Sequence, residues 1–351
     1  MSELEWLQQS VKIINKKYTV QAEGRQNSLT KPPGSLGRME TVAIQLSAMQ
    51  ACLKPAVDNV YITVFAADHG VADENVSAFP QAVTLEMVRN FSSGGAAISV
   101  LAKQLGARLE VVNLGTVSEQ ENLPGVIDQR ISPATENFSQ QAAMSASQMV
   151  EAMNAGREAV LRAEKHSAQL FIGGDMGIAN TTSATAVACA LLNEKAENIT
   201  GPGTGLDKNG VLHKTEVINN SLQKHKAEMK TPLDVLQCVG GFEIAALSGA
   251  YIACAQQGLP VMVDGFISGV AALLAIKINS GVKDWMFFSH LSAEPGHKII
   301  LQAMQVEPLV QMNMRLGEAS GAAVVVPLLR LACALQNNMA TFEQAGVSNK
   351  N

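Results

Sequence analysis

An α/β fold, with a mainly parallel sheet flanked by helices and a smaller helical lobe, follows from three features of the sequence. Short β-branched runs recur along the chain, stretches with helical spacing lie between most of them, and most runs end in Gly, Asp or Ser. Apolar runs alternating with helices describe βαβ units, and a strand that is apolar throughout is one covered on both faces. The strand runs fall at residues 60–67, 109–115, 170–174, 235–240, 259–265 and 285–289. The helical stretches include 85–105, 141–163, 183–192, 242–257 and 269–278.

The chain ends read differently. Residues 4–14 and 38–49 have helical spacing around the loop Leu29-Thr-Lys-Pro-Pro-Gly-Ser-Leu-Gly37, and residues 318–336 are helical again. The expected division is therefore a helical lobe from 1–55 plus 305–351 and a parallel α/β domain over 56–304. A chain of 351 residues has room for both, at roughly 100–200 residues per domain.

Composition excludes several functional classes. Hydrophobic residues make up 47% and charged residues 16%, which supplies a core and carries no signature of disorder. Lys plus Arg is 26 and Asp plus Glu is 31, a net charge of −5. That balance argues against nucleic acid or an anionic membrane as the main partner, and 4% aromatics leave little for base stacking. Cys52, Cys189, Cys238, Cys254 and Cys333 form no CxxC pair and no zinc-type spacing with histidine. In apolar surroundings they read as reduced core residues of a cytoplasmic protein. The N-terminus lacks the apolar stretch of a signal peptide, and no apolar run reaches about 18 residues, so no membrane span is expected.

In open parallel sheets, ligands sit beyond the carboxyl ends of the strands. Three segments there have chemical promise. Phe171-Ile-Gly-Gly-Asp-Met-Gly-Ile-Ala-Asn-Thr-Thr182 joins a strand to a helix whose first turn holds Asn180 and Thr181. Free N–H groups and hydroxyls at a helix start bind phosphate; the same residues also read as an ordinary N-cap. Gly201-Pro-Gly-Thr-Gly-Leu-Asp207, with Lys214 on the next helix, reads as amides and a cation for one phosphate, or as a loop with a solvated lysine. Gly317-Glu-Ala-Ser-Gly321 opens the last helix and sets Glu318 in a first turn, where the dipole favours a carboxylate and burial makes it a better base. His69 and His290 follow strands and fit either a site or a structural role, while His297 reads as a turn residue. A P-loop, a Gly-x-Ser-x-Gly elbow and a dinucleotide Gly-x-Gly-x-x-Gly are absent, and no HxH or HExxH partner supports a metal at Asp68-His69.

These segments, together with Ala67-Asp-His-Gly-Val71, Val76-Ser-Ala-Phe-Pro-Gln81, Gly94-Gly-Ala-Ala97, Gly240-Gly-Phe-Glu-Ile-Ala245, Val263-Asp-Gly-Phe266 and Ser289-His290, run in one order nearly end to end. In that order the chain resembles the nicotinate-nucleotide–dimethylbenzimidazole phosphoribosyltransferase family. The resemblance implies a Rossmann-like sheet with a small helical domain, a homodimer, and no metal or cofactor for the chemistry. It implies transfer of 5-phosphoribose from nicotinate mononucleotide to 5,6-dimethylbenzimidazole, giving α-ribazole 5′-phosphate and nicotinate. Glu318 would be the general base, with Asp175, where the family more usually has Glu, as a second carboxylate. Gly177, Asn180, Thr181, Gly203, Thr204 and Lys214 would hold the nucleotide. Ser77, Phe79, Glu86 and Leu316 would wall the aromatic base. Phe79 stands where Tyr is common, Glu86 where Gln is common and Ala179 where Gly is frequent. Another acceptor (adenine, a different benzimidazole, a phenol) or a non-catalytic nucleotide-binding role on the same fold are the alternatives.

Overall fold

The computed structural model describes residues 2–119 and 121–348; residues 1 and 349–351 of the expected lobe lie outside them. Six strands form one parallel sheet: β1 (Val60–Ala67), β2 (Arg108–Gly115), β3 (Val126–Asp128), β4 (Leu170–Met176), β5 (Val261–Val263) and β6 (Met286–Phe288). Their order is β3-β2-β1-β4-β5-β6, the Rossmann arrangement. The chain runs outward from β1 to β3, then returns and runs the other way from β4 to β6. The crevice between the two directions opens at the carboxyl ends of β1 and β4. A second, two-stranded parallel pair joins β7 (His290–Leu291) to β8 (Val310–Gln311).

Every residue of β1 is buried, as its apolar sequence requires. Glycines in β4 let helices approach both sides. A side chain on Gly173 would meet Leu247 and Tyr251 of the helix over Phe242–Gln257, while one on Gly174 would meet the backbone of Glu318 and Ala319. Successive strand residues face opposite ways, so one face of β4 carries that helix and the other carries the segment that holds Glu318.

The helices, in chain order, begin with α1 (Lys16–Ser28), α2 (Arg38–Met49), α3 (Ala82–Ser93), α4 (Ala97–Leu105) and α5 (Ala146–Lys165). They continue with α6 (Asn180–Leu192), α7 (Ala196–Ile199), α8 (Lys208–His225), α9 (Pro232–Val239) and α10 (Phe242–Gln257). The last are α11 (Phe266–Ile278), α12 (Pro295–Met304), α13 (Ser320–Asn338) and α14 (Phe342–Ala345). The stretch 85–105 is two helices, because Gly94 closes α3 with φ +87°. The expected strand at 235–240 is α9. Thr231 and Asp234 form a capping box there and Pro232 occupies the first turn, so three start signals outweigh a short β-branched run. The sixth strand is instead Val126–Asp128.

The expected helix at 4–14 is a 3-10 helix over Ser2–Gln8 followed by extended chain. That stretch crosses the back of α10: Gln256 Nε2 donates to the Trp6 carbonyl at 2.6 Å and the Lys12 N–H donates to the Ala255 carbonyl at 3.0 Å. Asn15 then accepts from the Lys17 N–H and starts α1. The two chain ends meet where Gln26 Nε2 donates to Gln336 Oε1 at 2.7 Å and Thr30 N–H donates to the Ala340 carbonyl at 3.0 Å. Among the described helices α13 alone is long and apolar enough to cross a membrane, but it contains Pro327 and packs against α2, α4 and β4.

Candidate active site

A cleft of about 300 Å³ opens beyond the ends of β4 and β5. Asp175 to Thr181 form one wall, Asp264 to Ile267 the floor, and Arg315 to Glu318 the facing wall, with His290 and Glu294 behind and Phe79 at the rim. A larger groove of about 880 Å³ lies between residues 11–20, α2 and the β6 edge. Its acids, Glu23, Asp284 and Glu307, are all exposed, so size does not mark the site here; converging buried polar groups do.

Three buried acids meet in the cleft. Asp175 near the end of β4 accepts from Asn180 Nδ2 at 3.1 Å. Asp264, just past β5, accepts from the Ala322 N–H at 2.7 Å, which ties β5 to the first turn of α13. Its other oxygen and Glu318 Oε2 are buried without a hydrogen-bond partner among the described residues. Burial first, and then the charges of Asp264, Glu243 and Glu318, push Asp175 well above the carboxylate range. Burial raises Asp264 to about 7 against several backbone N–H groups. Burial likewise raises Glu318 to about 7, opposed by the Ile98 N–H at the start of α4.

Glu318 is therefore not in the first turn of α13, as the sequence spacing implies. It precedes the helix, in a run of three left-handed residues: Gly317 (φ +85°), Glu318 (φ +62°) and Ala319 (φ +68°). Left-handed backbone costs an ordinary L-residue roughly 1 kcal/mol or more, and such strain gathers at functional sites. Two bare glycines make the arrangement possible. A Cβ on Gly174 would lie 2.8 Å from the Glu318–Ala319 backbone, and one on Gly321 would lie 2.0 Å from the His290 ring.

The opposite wall starts a helix in the same manner. Ala179 caps α6 with φ +73° and no side-chain bond. Its loop is fixed from below: the Ile178 N–H donates to Thr84 Oγ1 at 3.1 Å, and that hydroxyl donates to the buried Asp68 at 2.5 Å. Thr181 Oγ1 accepts from Lys214 Nζ at 2.7 Å. Lys214 is 1% exposed, and burial pulls its ammonium down to about 8 while Glu294 pulls the other way. Arg315 donates to the Gly203 carbonyl at 3.1 Å, and Thr204 Oγ1 accepts from the Ala78 N–H at 3.2 Å and lies 3.1 Å from Ser77 Oγ. One end of the cleft is thus cationic and polar, and the other is acidic.

A phosphoribosyltransferase family model matches residues 11–347. Nicotinate-nucleotide–dimethylbenzimidazole phosphoribosyltransferase of Pseudomonas putida strain GB-1 is 57% identical over 94% of this chain and 94% of its own. The protein of that name from Xanthomonas campestris pv. campestris strain 8004 is 54% identical over 98% and 99%. The chain belongs to the nicotinate-nucleotide–dimethylbenzimidazole phosphoribosyltransferase family. A crystal structure of such an enzyme from Thermus thermophilus superposes with a TM-score of 0.91 at 40% identity, covering 96% of this chain and 100% of that one.

The residues that the family resemblance singles out largely converge. Asp175, Gly177, Asn180, Thr181, Gly203, Thr204, Phe79, Leu316 and Glu318 line the cleft. Lys214 and Ser77 stand one bond behind, through Thr181 and Thr204. Glu86 is exposed on α3 and is not among the lining residues. His290 lines the cleft, and burial lowers its pKa. His69 does not; it is wholly buried against Glu243 at 2.9 Å. His297 lies in α12, not in a turn, and its Nδ1 accepts from the Ser292 N–H at 2.9 Å. Asp264, Glu294 and Arg315 are the functional candidates that residue-level reading passed over. The signal for Asp264 was its place at a strand end in Val263-Asp-Gly-Phe266.

Proposed function

We propose that this phosphoribosyltransferase moves 5-phosphoribose from nicotinate mononucleotide to 5,6-dimethylbenzimidazole, with Glu318 as the general base. The observation that carries the reading is a buried carboxylate facing the cleft with one oxygen unpartnered and a pKa raised to about 7. Such a base is poised to take a proton at neutral pH.

The phosphate is received at the polar end, by the α6 start and the 203–204 loop with Lys214 and Arg315 nearby. Asp175 and Asn180 flank the ribose. Phe79, Leu316 and Phe266 give the aromatic acceptor its apolar wall. The C1′–pyridinium bond breaks and its electron pair returns to nitrogen, so the leaving nicotinate needs no acid. One acceptor nitrogen forms the new bond from the opposite face, with inversion at the anomeric carbon, and the proton on its other nitrogen passes to Glu318. The pyridinium and the sugar cation that develops both bear positive charge. Asp264 and Glu318, which ionise near neutral pH, are placed to stabilise it electrostatically.

Incubation with nicotinate mononucleotide and each of several acceptors tests the reading. Nicotinate release and the α-nucleotide should appear fastest with 5,6-dimethylbenzimidazole. Faster turnover with adenine or a phenol reassigns the acceptor, and nucleotide binding without nicotinate release contradicts catalysis. The same reading carries a homodimer, a cytoplasmic location and the division into lobe and sheet domain. Ile13 and Val20, 90% and 67% exposed beside the larger groove, support a subunit interface. Five free cysteines support a reducing compartment. The contacts of α1 and α13 with α2 support the lobe.

A further inference from the structure

Away from the cleft lining, three side chains of different chemistry converge where α8 ends and α9 ends. His225 Nδ1 lies 3.6 Å from Glu228 Oε2, and Cys238 Sγ lies 3.8 Å from the same oxygen. One donor atom from each of the three falls within 4.8 Å of the others. The tautomer of His225 is fixed by its neighbour. Nε2 is 2.8 Å from the Phe138 carbonyl, which can only accept, so Nε2 carries the proton. Nδ1 then holds a lone pair, is buried and has no hydrogen-bond partner among the described residues. His225 is only 3% exposed, so an unmatched lone pair is costly there.

We propose that His225, Glu228 and Cys238 form a Zn²⁺ site. Imidazole nitrogen, thiolate and carboxylate are the donor set zinc takes, with donors about 2.0–2.3 Å from the ion. Tetrahedral bonds of that length set donor atoms roughly 3.3–3.6 Å apart, and the observed separations are a few tenths of an ångström longer for the two measured pairs. Glu228 has an exposed side chain and supplies the adjustment for both of those pairs, while the His225 and Cys238 donors lie within 4.8 Å of each other. The carbonyl behind Nε2 is the outer partner that ligating histidines characteristically have. Water completes the fourth position on the exposed side. Binding replaces the Cys238 S–H bond with S–Zn and releases that proton to solvent. The ion would pin the end of α8, the helix that carries Lys214, to α9.

Titrating Zn²⁺ into the full-length protein against a chromophoric chelator tests the site. One equivalent should bind, with one proton released as the thiol is deprotonated. Cys238→Ser and His225→Gln should each weaken uptake at least about tenfold. Cys52→Ser should bind as the wild type does. Co²⁺ with the wild-type chain should show a thiolate-to-metal charge-transfer band, a readout that needs no variant to fold. No uptake, a Co²⁺ complex without that band, or loss of uptake in Cys52→Ser would each overturn the assignment.

Discussion

The starts of α6 and α13 face each other across the cleft and are built alike. Each follows a Gly-x-Ala sequence, each is capped by an alanine in left-handed backbone, and neither has a side-chain cap. Their surroundings make them chemically opposite. At α6 Lys214 is bonded to Thr181 beside the Asn180–Asp175 hydrogen bond, and the site suits an anion. At α13 the Ala322 N–H is taken by Asp264, and Glu318 stands among other buried acids, so the site suits a cation or a proton. Under the proposed function, one backbone device gives a phosphate seat or a base according to what packs against it. The two together match a substrate with a phosphate at one end and a positively charged ring at the other.

The largest effect is expected on the acidic side. Glu318→Gln keeps the shape but should lower kcat by about 10²–10⁴, with nicotinate mononucleotide affinity little changed. Steady-state rates beside direct binding measurements check this; near-normal turnover would move the base elsewhere. On the polar side the pattern should invert. Lys214→Met should weaken the nucleotide by about tenfold or more while kcat falls less, as loss of a hydrogen bond to a charged group predicts. A large kcat loss at unchanged affinity would end the division of labour.

Stability should separate the two walls as well. Glu318 has a folded pKa of about 7 against 4.5 for the free group. Between those values the folded chain holds a proton that the unfolded chain has lost. Stability therefore falls as pH rises through that window, and the cost is full above pH 7. Removing the carboxylate in Glu318→Gln should raise stability on the order of 2 kcal/mol at about pH 8 and hardly at all near pH 4, as thermal melts at both values would show. The smallest effect is at α6. Ala179→Gly removes left-handed strain of roughly 1 kcal/mol and should raise the melting temperature slightly with turnover intact. A lower melting temperature would mean that the buried methyl matters more than the strain.

Much of this was legible in the sequence because the sheet and the site share a pattern. Fully apolar runs ending in Gly or Asp marked β1 and β4, and the strand-end rule then pointed to Asp175, Gly177 and His290. Residues 235–240 misled because a short Val/Leu run has no period of its own, and the Thr231–Asp234 capping box decided the structure. The place of Glu318 ahead of α13 was hidden for a different reason. It depends on Gly174 in a strand far away in sequence, whose missing side chain admits the left-handed turn. His225, Glu228 and Cys238 escaped notice because no two of them have a familiar ligand spacing; a turn between two helices brings them together.

The most direct test of Glu318 as the proton acceptor is the pH dependence of kcat/KM for the wild type and Glu318→Gln, with 5,6-dimethylbenzimidazole as acceptor. The wild-type profile should fall with unit slope below about pH 7, as a base that must be ionised requires, and that limb should be absent from the slow residual activity of the variant. The same acidic limb persisting in Glu318→Gln would assign the titration to another group, Asp264 first, and contradict the account.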